Sequence, residues 1–199
     1  MSVEFWNQRY LSREFAYGTE PNELFRVFLD SRPAGNILFP AEGEGRNAVY
    51  AAEKGWHVTA FDMSEAGKAK AMQLAASRGV QIHYEINSFQ GYSGKKDSFD
   101  CIALAFTHLP PDIRRDCFSK LIPLLREGGV LYLVGFSVNQ ISKPSGGPTD
   151  PAMLFTDEQL RSDFAGLSDI VTREVEVDLN EGPYHQGPAS LMEMVGWKS

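Results

Sequence analysis

Cysteine is scarce in this sequence: Cys101 and Cys117 are the only two among 199 residues. Two thiols build no disulfide framework, and with the four histidines they show none of the spacings that hold zinc. Cys101 sits in an apolar run and reads as a small core residue. A basic cluster is missing too. Lysine and arginine number 19 against 26 aspartates and glutamates, for a net charge of -7. The pairs Lys95-Lys96 and Arg114-Arg115 read as solvated surface, so nucleic acid is not expected as a partner. No apolar stretch approaches the ~18 residues of a membrane span, and the N-terminus lacks a signal-peptide pattern. The expected setting is therefore the cytoplasm, without a membrane partner. Internal repeats and low-complexity tracts are also lacking.

What is present is an ordinary globular composition, 43% hydrophobic and 23% charged. A chain of this length hides about 70% of its unfolded surface and needs no covalent staple. One domain is expected over residues 1–199, with a helical cap over 1–33 and a sheet core over 34–199. In the cap, Phe5, Trp6, Tyr10 and Leu11 recur at helical spacing, and Leu24, Phe25, Phe28 and Leu29 do so again. Pro21 suits a first helical turn.

A strict alternation follows. Strands are expected at 36–40, 56–62, 80–86, 99–106 and 130–136. Helices are expected at 48–54, from a Ser64 cap to Arg78, and from Pro110 or Pro111 to about Arg126, where Gly128-Gly129 stops the last. Repeated strand–helix–strand units imply a parallel sheet with right-handed crossovers. Residues 138–151 form a loop rich in Pro, Gly and Ser, and Thr156 caps a helix through Phe164. Two strands near 170–178 and 189–198, joined by residues 179–188, look antiparallel. The fold class is α/β, a Rossmann-like seven-stranded sheet that is mostly parallel, with one antiparallel C-terminal strand, helices on both faces and an N-terminal helical lid.

Gly43 and Gly45 fall between the first strand and a helix N-terminus, where glycine lets backbone approach a ligand. Asp62 ends the second strand, nineteen residues after Gly43, where a carboxylate can accept from both ribose hydroxyls. Together they indicate a nucleoside ligand at the carboxyl edge of the sheet. Gly43-x-Gly45-x-x-Ala48 also fits a relaxed dinucleotide fingerprint, so an NAD(P)-dependent oxidoreductase stays open. Against it stand the antiparallel ending and Met63-Ser64 after Asp62, with no arginine for a 2′-phosphate.

Ile37-Leu38-Phe39-Pro40-Ala41-Glu42-Gly43-Glu44-Gly45, Asp62, Phe99-Asp100 and Leu125-Arg126-Glu127-Gly128-Gly129 together resemble class I S-adenosylmethionine-dependent methyltransferases, over nearly the whole chain. More narrowly, the chain is similar to the tellurite-resistance and thiopurine methyltransferase-like subgroup. That likeness rests on Phe5-Trp6-Asn7-Gln8-Arg9-Tyr10, Tyr17-Gly18-x-x-Pro21-Asn22, Gly43-x-Gly45-Arg46-Asn47, His108-Leu109-Pro110 and Glu181-Gly182-x-Tyr184-His185-x-Gly187. Glu42 departs from the small residue or Cys usual before the glycines.

The resemblance implies S-adenosyl-L-methionine as cofactor and a small nucleophilic acceptor, such as a thiol or a metalloid oxyanion. It implies that Gly43 and Gly45 lie along the methionine and ribose, that Asp62 binds the ribose, that Glu42 and Met63 belong to the cofactor-binding set, and that Asn87 contacts the adenine with Ser88 and Phe89 flanking it. Phe106 would lie near the sulfonium, and Tyr17 and Asn22 would come from the lid. Asn87 read alone could also start a turn, Phe106 could be core, and Tyr17 could be a packed aromatic.

Methyl transfer from a sulfonium needs donor and acceptor close, aligned and dry, and a base only for a protonated acceptor. His108, His185 and Arg46 are the side chains expected to orient an acceptor or take its proton. A non-catalytic S-adenosylmethionine-binding regulator is the other open reading. No metal is expected. Oligomeric state is not legible, and a monomer is assumed.

Overall fold

The computed structural model describes residues 2–199. The elements in chain order are α1 (Val3–Tyr10), α2 (Glu23–Asp30), β1 (Asn36–Pro40), α3 (Arg46–Glu53), β2 (His57–Asp62), α4 (Glu65–Ser77) and β3 (His83–Ile86). There follow β4 (Phe99–Ala105), α5 (Pro111–Ser119), β5 (Leu125–Phe136), α6 (Asp157–Asp163), β6 (Ser168–Asn180) and β7 (Gln186–Trp197). The seven strands form one sheet in the order β3-β2-β1-β4-β5-β7-β6. β1 and β2, β2 and β3, and β4 and β5 pair in parallel, while β7 runs antiparallel to both β5 and β6. This is the Rossmann-like α/β fold expected, with one reversed strand near its C-terminal end.

Side-chain caps set the helix starts. Ser2, Asn22, Ser64 and Thr156 each accept a hydrogen bond from a backbone N–H three residues on. Asn22 takes the cap of α2, so Pro21 stands just before the helix and not in its first turn. The expected helix from residue 110 to 126 is shorter. α5 ends at Ser119, Ile122–Leu124 form a 3-10 turn holding Pro123, and β5 begins at Leu125, which pairs with Phe99. Gly128-Gly129 therefore lies inside β5. The C-terminal strands are longer than expected, with Asn180 opposite Gln186, so only residues 181–185 join them. Residues 138–151 are partly ordered by a 3-10 segment at Val138–Ser142.

The chain divides into two compact units, Met1–Tyr92 with Glu181–His185, and Ser93–Asn180 with Gln186–Ser199. In the first unit Phe25, Ile37, Leu38, Phe39 and Phe61 are fully buried, with Phe25 edge-on to Phe39. In the second, β5 is buried continuously from Val130 to Phe136, as a strand covered on both faces must be. Phe118 and Phe164 stack there with ring centres 4.9 Å apart. The outermost strand β6 carries Arg173, Glu174, Glu176 and Asp178, charges that discourage edge pairing. Among the described residues no helix is long and apolar enough to cross a membrane, and no cluster of His, Cys, Asp and Glu could hold a metal ion.

Gly45 shows how closely the β1–α3 turn meets α4. Its φ is +87°, and a Cβ there would lie 2.5 Å from the Cβ of Ala71. Gly45→Ala combines a left-handed alanine with overpacking and should cost about 2–4 kcal/mol. Urea unfolding of Gly45→Ala, alone and with Ala71→Gly, checks this. The second change should recover part of the loss, and equal stability of wild type and Gly45→Ala would disprove the contact.

Candidate functional site

The chain leaves β1 through Ala41, Gly43 and Gly45, all at positive φ (52°, 64° and 87°). A Cβ on Gly43 would come within 2.6 Å of the Tyr10 hydroxyl, so this turn has no room for a side chain there. The Tyr84 hydroxyl donates to the Gly43 carbonyl at 2.6 Å. Asp62, at the end of β2, accepts from Gly43 N–H through Oδ2 at 3.0 Å and from Ser64 N–H through Oδ1 at 2.8 Å. One buried carboxyl thus fixes the turns after β1 and β2 to each other. Burial raises its pKa, opposed by the N–H groups of Ser64, Gly43 and Met63. A carboxylate oxygen has two lone pairs, so these bonds leave acceptor capacity for ribose hydroxyls.

Glu42 turns back onto its own helix. Its Oε1 accepts from Asn47 N–H at 3.1 Å and Ala48 N–H at 2.8 Å, capping α3, whose N-cap residue Gly45 has no side chain to do so. Burial pushes its pKa up to about 8, against the Ala48 N–H, the Arg46 charge and the Asn47 N–H, with Asp62 adding to the rise. Glu44 accepts from Ala16 N–H at 2.8 Å and pairs with Lys70 at 2.7 Å. Met63, half-buried, completes the turn after β2.

The N-terminal segment is fastened to this turn. Asn7 Oδ1 accepts from the Ser64 hydroxyl at 2.7 Å and from Ala66 N–H at 3.3 Å, holding α1 on α4. Asn22, 1% exposed, caps α2, donates its backbone N–H to Asn47 Oδ1 at 3.0 Å, and donates through Nδ2 to Glu181 at 2.8 Å. Arg46 donates to the Tyr17 carbonyl at 3.0 Å and pairs with Glu181 at 2.8 Å. Glu181 also holds His185 Nδ1 at 3.3 Å. Desolvation would raise the Glu181 pKa, but the Arg46 charge and the bonds from His185 and Arg46 outweigh it and leave it at about 2. His185 is held below its ordinary value by burial, which exceeds the opposing bond to Glu181. The Tyr17 ring lies 4.5 Å from the His185 ring, and its hydroxyl accepts from Arg9, whose guanidinium sits 3.8 Å over Tyr184.

The structure therefore brings Tyr17, Asn22, Arg46 and His185 into one buried polar cluster, and Glu42, Gly43, Gly45, Asp62 and Met63 into the adjoining turns. Arg46 and Asn22 are engaged within the cluster as its structural ties. Asn87 follows β3, its N–H bonded to the Asp62 carbonyl and its Oδ1 accepting from Ser88 N–H, the turn geometry of the alternative reading. Ser88 Oγ accepts from Gly91 N–H at 3.1 Å. Phe89 is buried edge-on to Phe61, with ring centres 5.6 Å apart.

Phe106 and His108 belong to the second unit and are described there. Phe106, half-buried at φ 54°, lies 5.0 Å from the Phe136 ring. His108 is buried between Phe136 and Phe155. Its Nδ1 meets the Met153 carbonyl at 2.8 Å and its Nε2 accepts from Phe136 N–H at 3.0 Å. Those bonds fix one neutral tautomer and commit both nitrogens to backbone, which makes His108 a strut between strand and loop and not a proton acceptor for a substrate.

Sequence reasoning gave Glu44, Glu181, Asn7 and Arg9 no role at the site. Glu181 was legible only as part of a motif. Its pairing with Arg46, 135 residues away, leaves no local signal.

Glu181→Gln strands the buried Arg46 charge and should lower stability by about 3 kcal/mol at neutral pH. The folded pKa near 2 lies below the ordinary 4.5, so the carboxylate's contribution is complete above pH 4.5 and fades as pH falls toward 2. Denaturant unfolding across that range should show a flatter pH dependence in the variant. Unchanged stability at pH 7 would contradict the ion pair's role.

Residues 37–129 match the profile of a family described as "Methyltransferase domain". A search of curated protein sequences gave no match. Among solved structures, one reported for the conversion of a disulfide bond into a thioacetal group during echinomycin biosynthesis is 19% identical, with TM-score 0.75, covering 98% of this chain and 90% of its own. A SAM-dependent methyltransferase of Methanosarcina mazei is 20% identical, with TM-score 0.71 and coverages of 90% and 98%. The phosphoethanolamine N-methyltransferase 2 of Haemonchus contortus, solved with phosphomonomethylethanolamine and S-adenosylhomocysteine, is 15% identical, with TM-score 0.68 and coverages of 98% and 56%. These likenesses concern the fold. Residues 37–129, which match the methyltransferase-domain profile, contain both the glycine turn and Asp62.

Proposed function

We propose that this protein transfers the methyl group of S-adenosylmethionine to a small nucleophilic acceptor, of which thiols and metalloid oxyanions are the first candidates. The observation that carries the reading is Asp62, a buried carboxyl tied to Gly43 N–H and Ser64 N–H at the carboxyl ends of β1 and β2, within the matched domain. The residues fit a nucleoside with a cationic sulfur. The glycine turn excludes side chains, Asp62 retains acceptor lone pairs, and Glu42 already occupies the N–H groups at the start of α3 that a phosphate would need.

When bound, the cofactor supplies an electrophilic methyl group on sulfonium, displaced in line by the acceptor. Asp62 would hold the ribose hydroxyls, Gly43 and Gly45 would let the backbone lie against the ligand, and Met63, Asn87 and Ser88 would border the adenosine. Asn22 and Arg46 act by position. They hold the Tyr17 segment and the 181–185 loop together through Glu181.

His185 is the residue we assign to a protonated acceptor. An ionised Glu181 makes its Nδ1 the donor, so in the neutral imidazole Nε2 is the basic nitrogen. The lowered pKa keeps the ring neutral near pH 7, the state a base requires. The thiol preference draws on the subgroup motifs and on the sulfur chemistry named for the echinomycin protein.

Asp62→Asn keeps one acceptor oxygen and removes the charge. It should weaken S-adenosylmethionine binding about ten- to a hundredfold, the worth of a hydrogen bond to a charged group, with a thermal midpoint close to wild type. In parallel, S-adenosylhomocysteine formation is followed with thiol, tellurite and amine acceptors. Turnover with a thiol or tellurite supports the acceptor class. Turnover with amines alone replaces it, and full affinity in Asp62→Asn refutes the placement of the ribose.

A further inference from the structure

Glu42 departs from the small residue or Cys usual before the glycines, and its carboxyl folds onto the start of α3. A glycine-rich turn leading into a helix ordinarily offers bare N–H groups to an anionic ligand. Here those groups are taken. The N–H groups of Asn47 and Ala48 both point to Glu42 Oε1, at 3.1 Å and 2.8 Å, and Gly45 supplies no side-chain cap. The protein has filled the anion position at the start of α3 with a carboxyl of its own. A second buried acid, Asp62, lies close enough to raise the Glu42 pKa.

We propose that Glu42 makes this turn a charge filter, favouring the sulfonium donor over its neutral demethylated product and over phosphate-bearing nucleosides. The inference rests on the donor assignment made above and adds a residue that sets ligand selectivity. Two things follow from the geometry. A phosphate brought to the α3 N-terminus meets a carboxyl where it needs free N–H groups. A positive ligand charge near the two acids is attracted, and loss of that charge on methyl transfer removes the attraction, which favours release of the product.

The groups facing Glu42 are Arg46 on α3, Asp62 on β2, Tyr10 on α1 and Tyr84 on β3. Of these, Asp62 opposes ionisation of Glu42 and Arg46 favours it. Because burial pushes the Glu42 pKa up to about 8, the carboxyl carries its proton at low pH and its charge above that value. A cation bound beside it favours the charged form, so the donor should expel a proton near neutral pH while the product does not. Preference for the donor should therefore rise with pH. The α-amino group common to both ligands cancels in the ratio of their affinities.

The test is calorimetric titration of wild type and Glu42→Gln with S-adenosylmethionine and S-adenosylhomocysteine at pH 6.5 and pH 8.5. Glutamine keeps an acceptor oxygen for the α3 cap, and a thermal unfolding curve confirms that the variant is folded. Wild type should show a donor-to-product affinity ratio about tenfold larger at pH 8.5 than at pH 6.5, a change within the reach of one nearby charge. In Glu42→Gln the ratio should be lower and nearly independent of pH. Equal ratios in the two proteins would overturn the role of Glu42 while leaving the donor assignment intact. Binding of neither ligand by folded wild type would overturn both.

Discussion

The carboxyl of Asp62 is the joint on which the glycine-turn end of the first unit depends. Its two oxygens reach Gly43 N–H and Ser64 N–H, tying the turns after β1 and β2 to each other. The same short region packs against Tyr10 from α1, Tyr84 from β3 and Ala71 from α4. A side chain at Gly43 or Gly45 has nowhere to go, and the backbone there must adopt positive φ. Conformation and packing are one requirement in this turn: the positive φ that leaves the backbone bare is also what lets α1 and α4 close on it.

The second organising interaction is the Arg46–Glu181 pair. Buried ion pairs stabilise little unless their remaining hydrogen-bonding groups are satisfied. Here Glu181 also accepts from Asn22 and holds His185, and Arg46 also reaches the Tyr17 carbonyl. The pair thus fixes three segments far apart in sequence: the Tyr17–Asn22 turn, the start of α3 and the five-residue connection between β6 and β7. Its value lies in positioning. It sets the orientation of His185, whose ring burial holds in the neutral form against the opposing bond to Glu181.

Strand positions and their mostly parallel pairing were legible because the strands repeat a simple pattern of apolar runs separated by helices and turn residues. Helix starts were legible where Ser64 and Thr156 supply caps. Legibility failed where tertiary pairing overrode a local signal. Gly128-Gly129 looks like a helix stop, yet β5 runs through it because Leu125 already pairs with Phe99. His108 looked available for acid–base work from its place after β4, and only three-dimensional partners reveal that Met153 and Phe136 backbone groups use both nitrogens. Glu42 was visible as an oddity of the motif, but its role as the cap of α3 depends on a side chain folding back five and six residues. Glu44 and Glu181 had no local signature, because their partners Lys70 and Arg46 lie on other elements.

The central claim is that the glycine turn and Asp62 form a seat for S-adenosylmethionine. Calorimetric titration of the unmodified chain with S-adenosylmethionine, beside NADPH as a competing nucleoside, tests it most directly. The expected result is one site per chain for S-adenosylmethionine, at micromolar affinity on the order of 8 kcal/mol, with no heat from NADPH. Preference for NADPH, or no binding of S-adenosylmethionine by folded protein, would contradict the account.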